Sequence, residues 1–188
     1  NFSFTEPWLG GKKRNSLTVS FYKSKYANGY DYVNNRFSDE IAKNSYMKTT
    51  GFSVSLGKQL KWPDDFFSLI HTVSLTQYNM KNYPIFPGLD SGLSTNISYK
   101  LTLQRNSAGP NPIFPTSGSN FLASVQFTPP YSLFNETIEI DNSYRHPEYH
   151  KWRFNAEWYV PLGKPMGAEK NRQFIIKIAA KYGFMGKY

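Results

Sequence analysis

Few side chains in this sequence are equipped for covalent or metal chemistry. Cysteine is absent, which excludes disulfides, thiol nucleophiles and Cys-ligated zinc. Histidine occurs three times, as His71, His146 and His150, leaving little room for metal or acid–base work. His71 has no metal-ligand partner spaced nearby. Glu136, Glu139 and Asp141 gather in one polar stretch, but a paired-carboxylate mechanism needs convergence in space, and the sequence supplies no sign of it. Basic residues are more abundant: 22 Lys+Arg against 13 Asp+Glu give a net charge of +9. Such an excess suits anionic partners. Here the charges are scattered over connections and strand ends and form no single stripe for nucleic acid. No enzyme, no cofactor, no metal and no nucleic-acid partner is expected.

What the chain has in quantity is alternation. Only 39% of residues are hydrophobic, yet 18% are aromatic, a richness in rings that excludes intrinsic disorder. No window holds the roughly 18 consecutive apolar residues of a spanning helix. Apolar residues instead recur with period two, the mark of strands with one greasy and one polar face. Residues 93–103 place Leu93, Ile97, Tyr99, Leu101 and Leu103 against Ser94, Asn96, Ser98, Lys100 and Thr102. The same pattern carries Leu17, Val19 and Phe21; Phe52, Val54 and Leu56; Val125 and Phe127; Phe154; and Ile176 and Ile178. Residues 66–78 fit less well, with His71 on the greasy side and Ile70 on the polar one. Seven long strands and a partial one at residues 1–7 are predicted, joined as an antiparallel up-and-down meander. The connections tend to alternate between short (8–15, 58–65, 161–172) and long (27–44, 79–92, 129–150), with 105–119 long for a short side. The first residues show no charged n-region or apolar h-region, so they are not expected to form a signal peptide, and the chain reads as a piece of something longer that starts within a strand.

Two media could meet the apolar faces. A soluble sandwich or ligand-binding barrel turns them inward, whereas an outer-membrane barrel turns them toward lipid and lines its lumen with the polar set. Periodicity is the same in both. Strand length favours the membrane barrel, since tilted transmembrane strands need about 9–11 residues and globular strands average nearer 5–6. The polar positions carry Ser, Thr, Asn, Gln and Gly rather than dense charge. Aromatics near strand ends (Tyr22, Tyr26, Tyr78, Trp152, Trp158, Tyr159, Tyr182) fit interfacial girdles. Seven or eight strands without closure would leave unsatisfied edges in lipid, at several kcal/mol per group, so the chain is expected to be part of a larger barrel.

Certain turns are more specific. Phe114-Pro115-Thr116-Ser117-Gly118-Ser119 stands between two strands. By itself it is a Pro/Gly turn. In that position it resembles the barrel of the outer-membrane protein assembly factor family, the BamA family. Glu6-Pro7-Trp8, within Thr5–Gly10, is similar to the family's turn after its fourth strand. Pro161-Leu162-Gly163 is similar to a later short turn. Residues 128–134 and 148–152 resemble Bacteroidetes-type members. The resemblance runs in order along essentially the whole chain. It implies one fragment of an outer-membrane β-barrel domain, from the end of the family's strand 4 to its strand 11 of sixteen. The periplasmic repeat domains, remaining strands and seam residues of the family have no counterpart in the sequence.

The resemblance also implies an orientation, with short turns toward the periplasm and long connections outside. Lys23, Lys25 and Lys48 then lie on apolar faces near the outer ends of their strands. There they would either contact lipopolysaccharide phosphates as point charges or snorkel to water. His71 would face lipid uncharged, or a bulge would shift its strand's phase. Lys100, Arg153, Lys177 and Lys181 would face the lumen, with Glu157 as a partner. The function implied is folding and insertion of β-barrel proteins into the bacterial outer membrane. Unfolded outer-membrane protein clients, accessory assembly lipoproteins, and outer-membrane lipids with lipopolysaccharide would be the partners. A passive outer-membrane channel or a related secretion translocator of the same superfamily is the alternative.

Overall fold

The computed structural model describes residues 1–11, 15–27, 29–31, 34–83, 91–109, 113–131, 145–166 and 172–187. Glu136, Glu139, Asp141 and the Ser132–Phe134 part of the 128–134 motif lie outside the described residues. Eight strands form one antiparallel sheet: β1 (Phe2–Glu6), β2 (Asn15–Ala27), β5 (Tyr46–Gln59), β6 (Phe67–Lys81), β7 (Gly92–Asn106), β8 (Gly118–Phe127), β9 (His150–Met166) and β10 (Arg172–Gly186). Each pairs with the next along the chain, as an up-and-down meander must. β1 and β10 are the two edges. Apart from β1, the strands are 10 to 17 residues long, well beyond the globular norm of about 5–6.

The long connection after β2 holds structure that period-two reading misses. A small hairpin of β3 (Tyr30–Asp31) and β4 (Arg36–Phe37) leads into α1 (Asp39–Asn44). Six residues are too few for an amphipathic period to register. The expected turn at Pro161-Leu162-Gly163 needs correction. β9 runs on to Met166, with Pro161 opposite Ile175 and Leu162 opposite Phe174. Proline is admissible in a strand where its missing N–H is not needed. The irregularity falls just beyond, where Gly163 has φ +68° and the register slips between Arg172 and Phe174.

Tight hairpins depend on local chemistry. Gly118 has φ +94°, and a Cβ there would sit 2.1 Å from the Ser107 carbonyl oxygen. Only glycine fits. At Gly163 the same sign of φ meets open space. Gly118→Ala should therefore cost at least about 2 kcal/mol, from strain plus collision, and Gly163→Ala clearly less. The check is the shift of each variant's urea-unfolding midpoint in detergent.

Candidate functional site

The register assembles side chains into rows that cross the sheet. Phe2, Phe21, Phe52, Leu75 and Ile97 stand side by side on β1, β2, β5, β6 and β7. The next row is Phe4, Val19, Val54, Val73, Tyr99 and Phe127. A third is Leu17, Leu56, His71, Leu101, Val125, Trp152 and Phe184. Leu103, Ala123, Phe154 and Tyr182 follow, then Trp158 with Ile178 and Val160 with Ile176. The apolar band thus moves steadily along successive strands, as it does when strands tilt across a belt of constant height.

Burial on the two faces is inverted relative to a water-soluble core. Phe52, Val73 and Ile178 are 45%, 53% and 55% exposed. The only buried hydrophobic residues among those described are Met80 and Ala156, while Thr49, Ser98, Thr102 and Thr128 are buried as well. The polar face is a ladder of hydroxyls. Ser3 bonds Ser20 at 3.0 Å, Thr5 bonds Thr18 at 3.1 Å, Ser55 bonds Thr72 at 2.9 Å and Ser74 bonds Ser98 at 2.8 Å. Such pairs stabilise neighbouring strands.

Tyr149 adds a brace that the sequence did not reveal. Asn96 Nδ2 and Gln126 Nε2 donate to its hydroxyl at 3.3 and 3.0 Å. Its backbone N–H donates to Thr128 Oγ1 at 2.8 Å. The end of the β8–β9 connection is thereby held against the polar face. Lys177 pairs with Glu157 at 2.9 Å on that face, and Tyr159 donates to the same carboxylate at 3.0 Å, as the alternation led one to expect.

The tyrosines require a second correction. Tyr22, Tyr26, Tyr78 and Tyr159 lie on the polar face by register, opposite Gly51, Met47, Thr49 and Lys177. The Tyr22 ring covers Gly51, where a Cβ would meet it at 2.2 Å, and its hydroxyl reaches Thr76 at 3.4 Å. Only Trp152, Trp158 and Tyr182 of the proposed girdle share the apolar face. Odd and even numbering around Phe21 already carried this information.

His71 stays in phase, with unbroken pairing to Leu56 and Leu101, so the bulge alternative falls away. Its Nδ1 shares a hydrogen bond with the Tyr99 hydroxyl at 2.6 Å. Two polar groups on a greasy face thus satisfy each other. Among the described residues no three His, Cys, Asp or Glu side chains gather as metal ligands.

The turn motifs are built as compact hydrogen-bonded units. Trp8 N–H donates to Glu6 Oε1 at 3.1 Å, and Gly11 N–H to the Trp8 carbonyl at 2.9 Å, with Pro7 between. In the Phe114–Ser119 segment, Thr116 donates from N–H and hydroxyl to the Gly109 carbonyl, both at 3.3 Å. Phe114 is 74% exposed and Pro115 half-buried. Arg105, at the end of β7, ties this hairpin to its neighbour. Its guanidinium donates to Asp64 Oδ2 at 2.9 and 2.8 Å, and to Ser107 and Ser119 hydroxyls at 2.7 and 2.5 Å. Asp64 also accepts from Phe66 N–H at 3.0 Å. One planar fork therefore serves two turns, a task a lysine cannot reproduce. Arg105→Lys should destabilise by about 1–2 kcal/mol, most of it lost in an Asp64→Asn background. Denaturant titration of the double-mutant cycle measures the coupling.

Residues 1–187 match the Omp85 superfamily domain. The crystal structure of BamA from Haemophilus ducreyi lacking POTRA domains 1-3 superposes with a TM-score of 0.61 at 19% identity. The match covers 99% of this chain and 32% of that one, a likeness of fold. No curated protein matches. With the superfamily domain matched over nearly every residue, and the fold of its strands shared with a BamA barrel, the chain belongs to the Omp85 superfamily.

Proposed function

We propose that this chain is a wall segment of an outer-membrane insertase, which folds β-barrel proteins and inserts them into the bacterial outer membrane. The observation that carries the membrane placement is the inverted burial: hydrocarbon outside, hydroxyls inside. A sheet of this kind is stable where the outer medium is itself hydrocarbon. The apolar-face positions from Leu17 through Ile178 would meet acyl chains. Family membership supports the insertase role. An exposed strand edge in lipid recruits an incoming strand because both need backbone partners. β1 and β10 would themselves be joined by further strands, so the segment would stand within a larger barrel, corresponding to strands 4 to 11 of the family. Resemblance at residues 128–134 and 148–152 supports a Bacteroidetes-type origin. Clients would be unfolded outer-membrane proteins, and the long connections would offer surfaces to accessory lipoproteins. The reading includes no catalytic residue and no cofactor.

A passive channel or secretion translocator of the same superfamily is the second reading, favoured by the hydroxyl-lined inner face. Reconstitution of the full-length protein in vesicles separates the two. An insertase accelerates protease-resistant folding of an added unfolded β-barrel protein. A channel conducts ions without that acceleration.

The membrane placement is tested within this segment. Val54→Arg, between Val19 and Val73, should cost about 2–4 kcal/mol of folding stability in bilayers. Thr18→Lys on the opposite face should cost well under half as much. Equal penalties in urea titrations from lipid vesicles would count against the assignment of faces.

A further inference from the structure

The apolar band ends abruptly at one corner of the sheet. Beyond Phe21, Phe52, Leu75 and Ile97 the next row is Lys23, Thr50, Gln77 and Thr95. After it come Lys25, Lys48, Asn79 and Leu93, then Ala27, Tyr46 and Lys81. Hydrocarbon gives way to ammonium groups within two residues on β2 and within four on β5. Lys81 shares this face by register and was not singled out in the sequence.

The cluster is unfavourable as it stands. Lys25 and Lys48 are direct cross-strand partners, and like charges so placed destabilise a sheet. Both ammonium groups lie over the Tyr46 ring, 5.2 and 4.6 Å from its centroid. The ring draws them together instead of letting them part. Among the described residues the ion pairs are Arg105–Asp64 and Lys177–Glu157, and neither involves this corner. Side chains that merely sought bulk water would gain by spreading, whereas Lys25 and Lys48 converge on one ring.

We propose that Lys23, Lys25, Lys48 and Lys81 bind the phosphates of an anionic lipid whose acyl chains lie on Phe21, Phe52 and Leu75. This rests on the membrane placement argued above. A lipid carrying several head-group phosphates, as lipopolysaccharide does, matches both halves of the corner: anionic oxygen against ammonium, and hydrocarbon against exposed rings. A soluble phosphate would use only the first half. The corner adjoins the ends of the longer connections, which in outer-membrane barrels are the extracellular ones.

The test uses the full-length protein in nanodiscs of neutral phospholipid doped with a bis-phosphorylated glycolipid or its dephosphorylated counterpart. Mass spectrometry measures lipid retained after transfer to detergent. The wild type should retain the phosphorylated form at least about tenfold better. Each Lys→Gln change should lower retention about fivefold, all four together should abolish the preference, and four Lys→Arg changes should preserve it. Excess inorganic phosphate should leave retention intact. An unaltered preference in the fourfold Gln variant would overturn the proposal, as would displacement by inorganic phosphate, which marks a free-anion site. If that variant fails to fold, equal retention of the two lipids by the wild type is decisive against it. Failure of the wild type to enter nanodiscs would instead sink the membrane placement, and the lipid site with it.

Discussion

Every backbone N–H and C=O in a sheet surrounded by hydrocarbon must find its partner within the sheet. In the membrane setting proposed above, that requirement accounts for most of what is seen here. It explains strands of 10 residues or more after the first, and ladders that run with few register breaks. Water would satisfy a frayed or bulged strand at little expense; lipid would not. Side chains are then free to obey a simple rule of two faces, because the backbone has already been settled by pairing.

The polar face shows how the rule is met largely with hydroxyls. Serine and threonine hydroxyls bond across strands in pairs, each group serving as donor or acceptor as its neighbour needs. Small side chains also leave room for larger ones. Tyr22 lies over Gly51 and Tyr149 reaches between β7 and β8. On that side Lys177 is paired with Glu157.

Much of this architecture was legible from the alternation alone. Leu101 and Ser98 are assigned to opposite faces by parity, and strand pairing follows from the order of the hairpins. Strand ends were less legible. Proline at 161 reads as a turn because it lacks a donor, but it stands opposite Ile175, beyond the point where the β8 ladder ends at Tyr159. The girdle reading of Tyr22 and Tyr159 weighed residue type over parity. Contacts between distant segments were illegible. Arg105 meets Asp64 across 41 residues, and nothing local to either residue announces it. His71 and Tyr99 likewise become a pair only when β6 and β7 are in register.

The diagonal drift of the apolar band carries a consequence for how such a chain can vary. Because each strand's faces are set by parity, inserting or deleting one residue inside β6 would turn every later side chain of that strand inside out. Its hydroxyls would then stand on the apolar face and its leucines on the polar one. Substitution within a class is cheap, while a change of length is tolerated only in the connections. Lineages of this sheet should therefore diverge freely in composition yet keep the residue count of each strand, with gaps and insertions confined to the hairpin tips.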